Sequence, residues 1–200
     1  MQVIQTVAPT QEPITLDEAK KFLRITHANE DNLISSLIST TRELAESYLN
    51  RQLEIATFEL YTSSLNTDFR LPKNPIKEII SVEYLDDSNI YQVFNSDNYY
   101  LYEDSGIGYI HFEELPSYTD NKKAIKITFR SGYDEVPDSI KQWMKVKISS
   151  YYENRESIVV GASVSDIGKD LIDGLLNQYR IVPLWEVEAW GIWFILKSLQ

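Results

Sequence analysis

The hydrophobic period changes twice along this chain, and that narrows the folds open to it. Apolar residues recur at Leu33, Ile34, Leu37, Ile38, Leu44, Ala45, Tyr48 and Leu49, with Thr41 at the one weak position. This 3.6-residue period, held over about twenty residues, predicts an amphipathic helix ending near Asn50. At about Leu53 the period shortens to two. The runs IATFELY (55–61), IKEIISVEYL (76–85), IYQVF (90–94), YYLY (99–102), GYIHF (108–112) and AIKITF (124–129) alternate with turn clusters such as DDSN (86–89). In the second run Ile80, Val82 and Tyr84 should share one face, with Ser81 and Glu83 on the other. In the last, Ile125, Ile127 and Phe129 should point inward and Lys126 and Thr128 outward. Together the runs predict a small, largely antiparallel sheet. Helical spacing returns after Gly132. Pro137 suits a helix cap or first turn, and Ile140, Trp143, Met144, Lys147, Ile148 and Tyr151 follow three and four apart.

The flanks complete the order. Thr15 and Glu18 form a capping box for a short helix over 16–24, with Leu16, Ala19, Phe22 and Leu23 on its buried side. Asn29 is the expected N-cap of the long helix. A further helix runs from Ser165 or Asp166 to Leu176. Residues 1–13, with Pro9 and Pro13 and no periodicity, read as a flexible arm. Residues 14–180 then make a single domain, with helices over 15–50, a β-region over 53–130 and helices over 137–178. Residues 181–200 form an apolar tail. The expected class is α+β: a small helical bundle built from N- and C-terminal helices, with a mostly antiparallel sheet inserted between them.

Charge and composition exclude several functions. The formal net charge is -11 and no run of Lys or Arg offers a basic patch, so tight binding to nucleic acid is not expected. There are no cysteines, which rules out disulfides and thiolate metal sites and suits a reducing cytoplasm. No basic segment followed by an apolar run opens the chain, so no signal peptide is expected. The longest uncharged apolar stretch, 189–196, falls short of the roughly 20 residues a membrane helix needs.

No constellation of catalytic residues emerges. Gly168-Lys169 lacks the first glycine of a phosphate loop and is followed by Asp170. Gly106-Ile107-Gly108 reads as turn glycines. His27 and His111 have no second imidazole at metal-ligand spacing. Asp86-Asp87 and Glu113-Glu114 are adjacent pairs whose side chains point to opposite faces of a strand, so neither shares a proton. No enzyme activity, metal or cofactor is expected. A metal-dependent hydrolase using scattered Asp and Glu is the enzymatic alternative, and no spacing supports it.

The segment SSYYENRESIVVGAS (149–163) carries the densest set of contact-forming side chains. At helical spacing Tyr151 and Arg155 share one face, and Tyr152 and Glu156 the next. This is either a subunit seam or a solvated helix end with local ion pairs. The tail holds Trp185, Trp190, Trp193 and Phe194, which either pack back on the domain or dock on a partner.

Several separated segments taken in order, "ITLDEAKKFLRI", "EDNLISSLISTTRELAESYLNRQL", "LPKNPIKEIISVEYLD", "ITFRSGYDEVPDSIKQWMKVKISSYYENRE" and "LLNQYR", resemble the head–tail connector (adaptor) proteins of tailed bacteriophages, in the subgroup with a β-insertion between its helices. The resemblance covers about residues 14–180. It implies a structural virion protein at the head–tail interface, made in the bacterial host cytoplasm. It further implies self-assembly into a dodecameric ring on the portal protein, contact with stopper or tail proteins, and a channel that DNA passes without specific binding. No membrane is involved. The interface residues it suggests are Tyr151, Tyr152, Arg155, Trp185, Trp190, Trp193 and Phe194. A tail-completion or stopper protein is the structural alternative, expected to be more purely β.

Overall fold

The computed structural model describes residues 1–153 and 174–182. Its helical layer starts at α1 (Leu16–Leu23). Thr15 Oγ1 accepts the Glu18 N–H at 3.2 Å, and Glu18 Oε2 accepts the Thr15 N–H at 2.9 Å, so the capping box is present. The helix stops at Arg24, which takes the left-handed conformation with φ 59°. The long helix α2 (Asp31–Leu49) is capped by Glu30 and not by Asn29, and Glu30 makes no side-chain cap bond. The Glu30 carboxylate instead accepts the hydroxyl of Tyr152, while Lys20 Nζ reaches Asp31 at 2.6 Å and ties α1 to the first turn of α2. Helix α2 buries Ile34, Ile38, Thr41, Ala45 and Leu49, and ends at Asn50 with φ 53°. Thr41 is tolerated in the core because its hydroxyl donates to the carbonyls of Leu37 and Ile38. A third helix, α3 (Asp138–Glu153), adds Ile140, Trp143, Met144 and Ile148 to the same core. Full burial of one such aliphatic side chain contributes about 1.5–3 kcal/mol.

Residues 174–177 are helical and bring Leu176 into this cluster. The chain then crosses the end of α2. The Ile181 N–H donates to Leu49 O at 2.9 Å, and Asn50 Nδ2 donates to Ile181 O at 2.9 Å.

The β-region differs from expectation in two ways. Residues 1–13 are not an aperiodic arm throughout: β1 (Gln2–Val7) pairs antiparallel with β2 (Ala56–Thr62). Val3, Ile4, Thr6 and Val7 are β-branched and no proline interrupts them. The strand was invisible to periodicity because, as an edge, it half-buries only Val3. There are also two sheets where one was expected. The first has the order β1-β2-β8-β4-β5, with β4 (Ile76–Leu85), β5 (Tyr91–Val93) and β8 (Ile125–Ser131). The second has the order β3-β7-β6, with β3 (Asp68–Arg70), β6 (Tyr99–Asp104) and β7 (Ile107–Phe112). All named pairs are antiparallel. Both sheets feed one core containing Phe58, Leu60, Ile110, Phe112, Ile127 and Phe129.

Ile80 is a further correction. It is 52% exposed and does not share the buried face of Val82. Ile79 opposes Phe129 and Ser81 opposes Thr128, so Ile80 is the extra residue of a bulge and falls out of the alternation.

Two close approaches join the layers. Gly132 has φ +135°, and a Cβ there would meet the Glu54 backbone at 2.6 Å. Arg51 donates to Tyr179 O through Nε and to Gly106 O through Nη1, so one side chain spans the α2 end, the C-terminal crossing and the β6–β7 hairpin.

Candidate assembly surfaces

Tyr151 and Tyr152 sit on different sides of α3. Tyr151 is 41% exposed and available to a partner. Tyr152 is half-buried, packs on the helical core and donates its hydroxyl to Glu30. Within one subunit it holds α3 against the turn before α2. Arg155, Trp185, Trp190, Trp193 and Phe194 lie outside the described residues, as does the expected helix from Ser165 as far as 173.

A second surface was missed in the sequence. Strand partners share a face, and the register Asp68↔His111↔Tyr100 and Arg70↔Tyr109↔Tyr102 sets three aromatic rings, an imidazole and an arginine on the outer side of the three-stranded sheet. Tyr102 stacks on Tyr109 at 5.3 Å, and the Tyr100 ring lies 5.0 Å from His111. Asp68 Oδ1 accepts the Tyr102 hydroxyl at 3.1 Å and lies 2.7 Å from His111 Nδ1. The His111 contact, with help from Tyr102, holds the Asp68 carboxyl below its ordinary value. Among the described residues no serine or threonine hydroxyl bonds to His111. The face therefore offers pre-stacked rings with few rotamers left to freeze, which suits protein contact. Its signal was the i, i+2 spacing of Tyr100 and Tyr102 and of Tyr109 and His111. Only the β6–β7 register brings the two pairs together.

The junction between the layers is electrostatic. Arg42 donates to Glu12 at 2.8 Å and to Glu46 at 2.9 Å. Glu46 also accepts Gln52 Nε2 and the Leu53 N–H. Burial pushes the Glu46 carboxyl up, while the Leu53 N–H and Arg42 pull it down. Burial and the nearby Glu12 raise Glu54 as well. These groups are spent on holding α2 to the entry of β2. Among the described residues no three His, Asp or Glu gather to hold a metal ion, and no helix is long and apolar enough to cross a membrane.

An open cleft of about 670 Å³, lined by Glu43, Asn50, Arg70, Lys73 and Ile181 among others, lies where the C-terminal crossing meets the 70–74 loop. It brings together no catalytic set.

The sequence matches the family model described as head completion protein over residues 12–182. The chain belongs to the head completion protein family. Membership gives it a structural role in head–tail connection. Three solved structures share the fold of this head completion protein. A chain in "Neck of empty GTA particle computed with C6 symmetry" is 18% identical, with TM-score 0.76; another, in "Virion of native gene transfer agent (GTA) particle", is 19% identical with TM-score 0.76. A third, in "Neck of native GTA particle computed with C12 symmetry", is 18% identical with TM-score 0.74. Each comparison covers 92% of this chain and 97% of the other. A search of curated proteins found no match.

Proposed function

We propose that this head completion protein is an adaptor subunit that assembles as a dodecameric ring on the portal at one capsid vertex, lengthening the DNA channel and receiving the stopper or tail. The observation that carries this reading is the family match over 12–182, together with a fold shared almost end to end with chains of gene-transfer-agent necks. The protein is made in the host cytoplasm and ends in the virion. Tyr151 and Arg155 contact the neighbouring subunit, Tyr152 closes the same helix end, and Trp185, Trp190, Trp193 and Phe194 contact the portal or a neighbour. A net charge of -11 suits a channel wall along which the duplex slides without sticking. Having α1, α2 and α3 at its two ends favours the adaptor over a more purely β stopper.

The test is complementation. Particles made without this protein should accumulate as DNA-filled heads unable to accept tails, and added purified protein should restore joining. Protein truncated at Leu184 should stay folded by circular dichroism and fail to restore it. Normal joining without the protein would overturn the adaptor role. Unfolding of the truncated chain would show that the tail belongs to the subunit's own core.

A further inference from the structure

The five-stranded sheet is open at both ends, and its two edges are unlike each other. β1 forms one edge. It has six residues, QVIQTV, five of them exposed and none charged. β5 forms the other, with sequence YQV, also uncharged, and Val93 is 75% exposed. Exposed edges are normally blunted by charge, proline or bulges, because their free backbone groups accept another strand. The remainder of the β4 edge is blunted in this way, since the register shifts at Lys77 and at Ile80 and Glu78 is exposed. β1 has one irregularity, at Thr6 near its end, and no charge.

We propose that these edges are the two halves of one seam: β1 of one copy pairs with β5 of the next, continuing the sheet from subunit to subunit. The proposal rests on the ring reading and adds the surface through which the ring closes. Three features fit a second copy. A ring requires two different complementary patches on each subunit, and the two edges supply them. Copies that each carry -11 repel, and uncharged strands are where they approach at least cost. The faces also agree. Ile4 opposes Glu59, Glu59 opposes Thr128, Lys126 lies two residues from Thr128 on the same face, Lys126 opposes Glu83 and Glu83 opposes Val93. Ile4 and Val93 therefore stand on the same side of the sheet, away from its core, and meet as an apolar pair when the sheet continues. Four successive antiparallel pairs make β1 and β5 run the same way, so the joint is a parallel ladder.

The chain contains no cysteine, which permits a direct test. Three double variants combine Val93→Cys with Gln2→Cys, Ile4→Cys or Val7→Cys, whose β2 partners Tyr61, Glu59 and Thr57 put them on one face, so that together they span the register. Within one chain these positions are four strand spacings apart, roughly 19 Å, beyond the reach of a disulfide. Each full-length variant is checked for wild-type melting, assembled on portal-bearing heads and oxidised. The expected result is a ladder of disulfide-linked multimers from at least one double variant and from none of the single ones. Rings that assemble normally yet give no ladder with any pair would overturn the β1–β5 seam and leave the adaptor reading standing. Dimers from a β1 cysteine alone would overturn it in favour of a symmetric β1–β1 contact. Absence of rings with the unaltered protein would sink the adaptor reading itself.

Discussion

Gly132 stands where the fold leaves no room for a side chain. Its φ of +135° is a conformation that side-chain-bearing residues rarely adopt, and a Cβ would enter the Glu54 main chain, which cannot move aside without breaking the entry to β2. Gly132→Ala is expected to destabilise the subunit by about 2 kcal/mol or more, read as a shift in the denaturant midpoint; a change under about 0.5 kcal/mol would contradict the close approach. Asp68 gives a pH signature. Its carboxyl is held below its ordinary value, first by His111 and then by Tyr102. A depressed carboxyl contributes stability above its unfolded value, and that contribution fades as pH falls through the folded one. Asp68→Asn should therefore melt below wild type at neutral pH, with the gap closing at pH values below the Asp68 carboxyl's own. A gap independent of pH would mean the charge on Asp68 is immaterial. This dyad was not legible in the sequence, where His111 read as a lone strand histidine; Asp68 is 43 residues away and only the β3–β7 register joins them.

At the scale of elements, α3 presents two tyrosines with opposite duties. Tyr152→Phe removes the hydroxyl given to Glu30 and should lower stability by about 1 kcal/mol, whereas Tyr151→Ala leaves an exposed position and should leave melting within experimental scatter. The reverse order in thermal unfolding would mean that the helix faces are misassigned. Periodicity separated the elements of this chain well where one face is buried along many residues. α2 and β8 are such cases: Ile34, Ile38, Ala45 and Leu49 in the first, and Ile125, Ile127 and Phe129 in the second, are all buried. It failed where burial is one-sided or short. β1 half-buries a single residue, β3 has three residues, and the bulge at Ile80 breaks the period inside an otherwise alternating strand. The same limit applies to the surfaces. Tyr151 was legible as a helix-face residue. Tyr152's partner is 122 residues distant, and the aromatic face of the small sheet exists only because β6 and β7 pair in one register.

The described residues form a helical layer drawn from segments on either side of the main β-region, and two sheets that share a second core, with Arg51 and the Arg42–Glu46 pair at the join. What this arrangement offers is an open sheet edge at each end, a stacked aromatic face and a C-terminal crossing fixed to the end of α2, which together suit a subunit built to be surrounded by others. That places the decisive measurement on the assembly. Purified protein mixed with its cognate portal should, in electron cryomicroscopy, add one ring of twelve subunits coaxial with the portal and lengthening its channel. Portal particles that remain bare at saturating protein, or that carry the protein scattered and off-axis, would contradict the adaptor account.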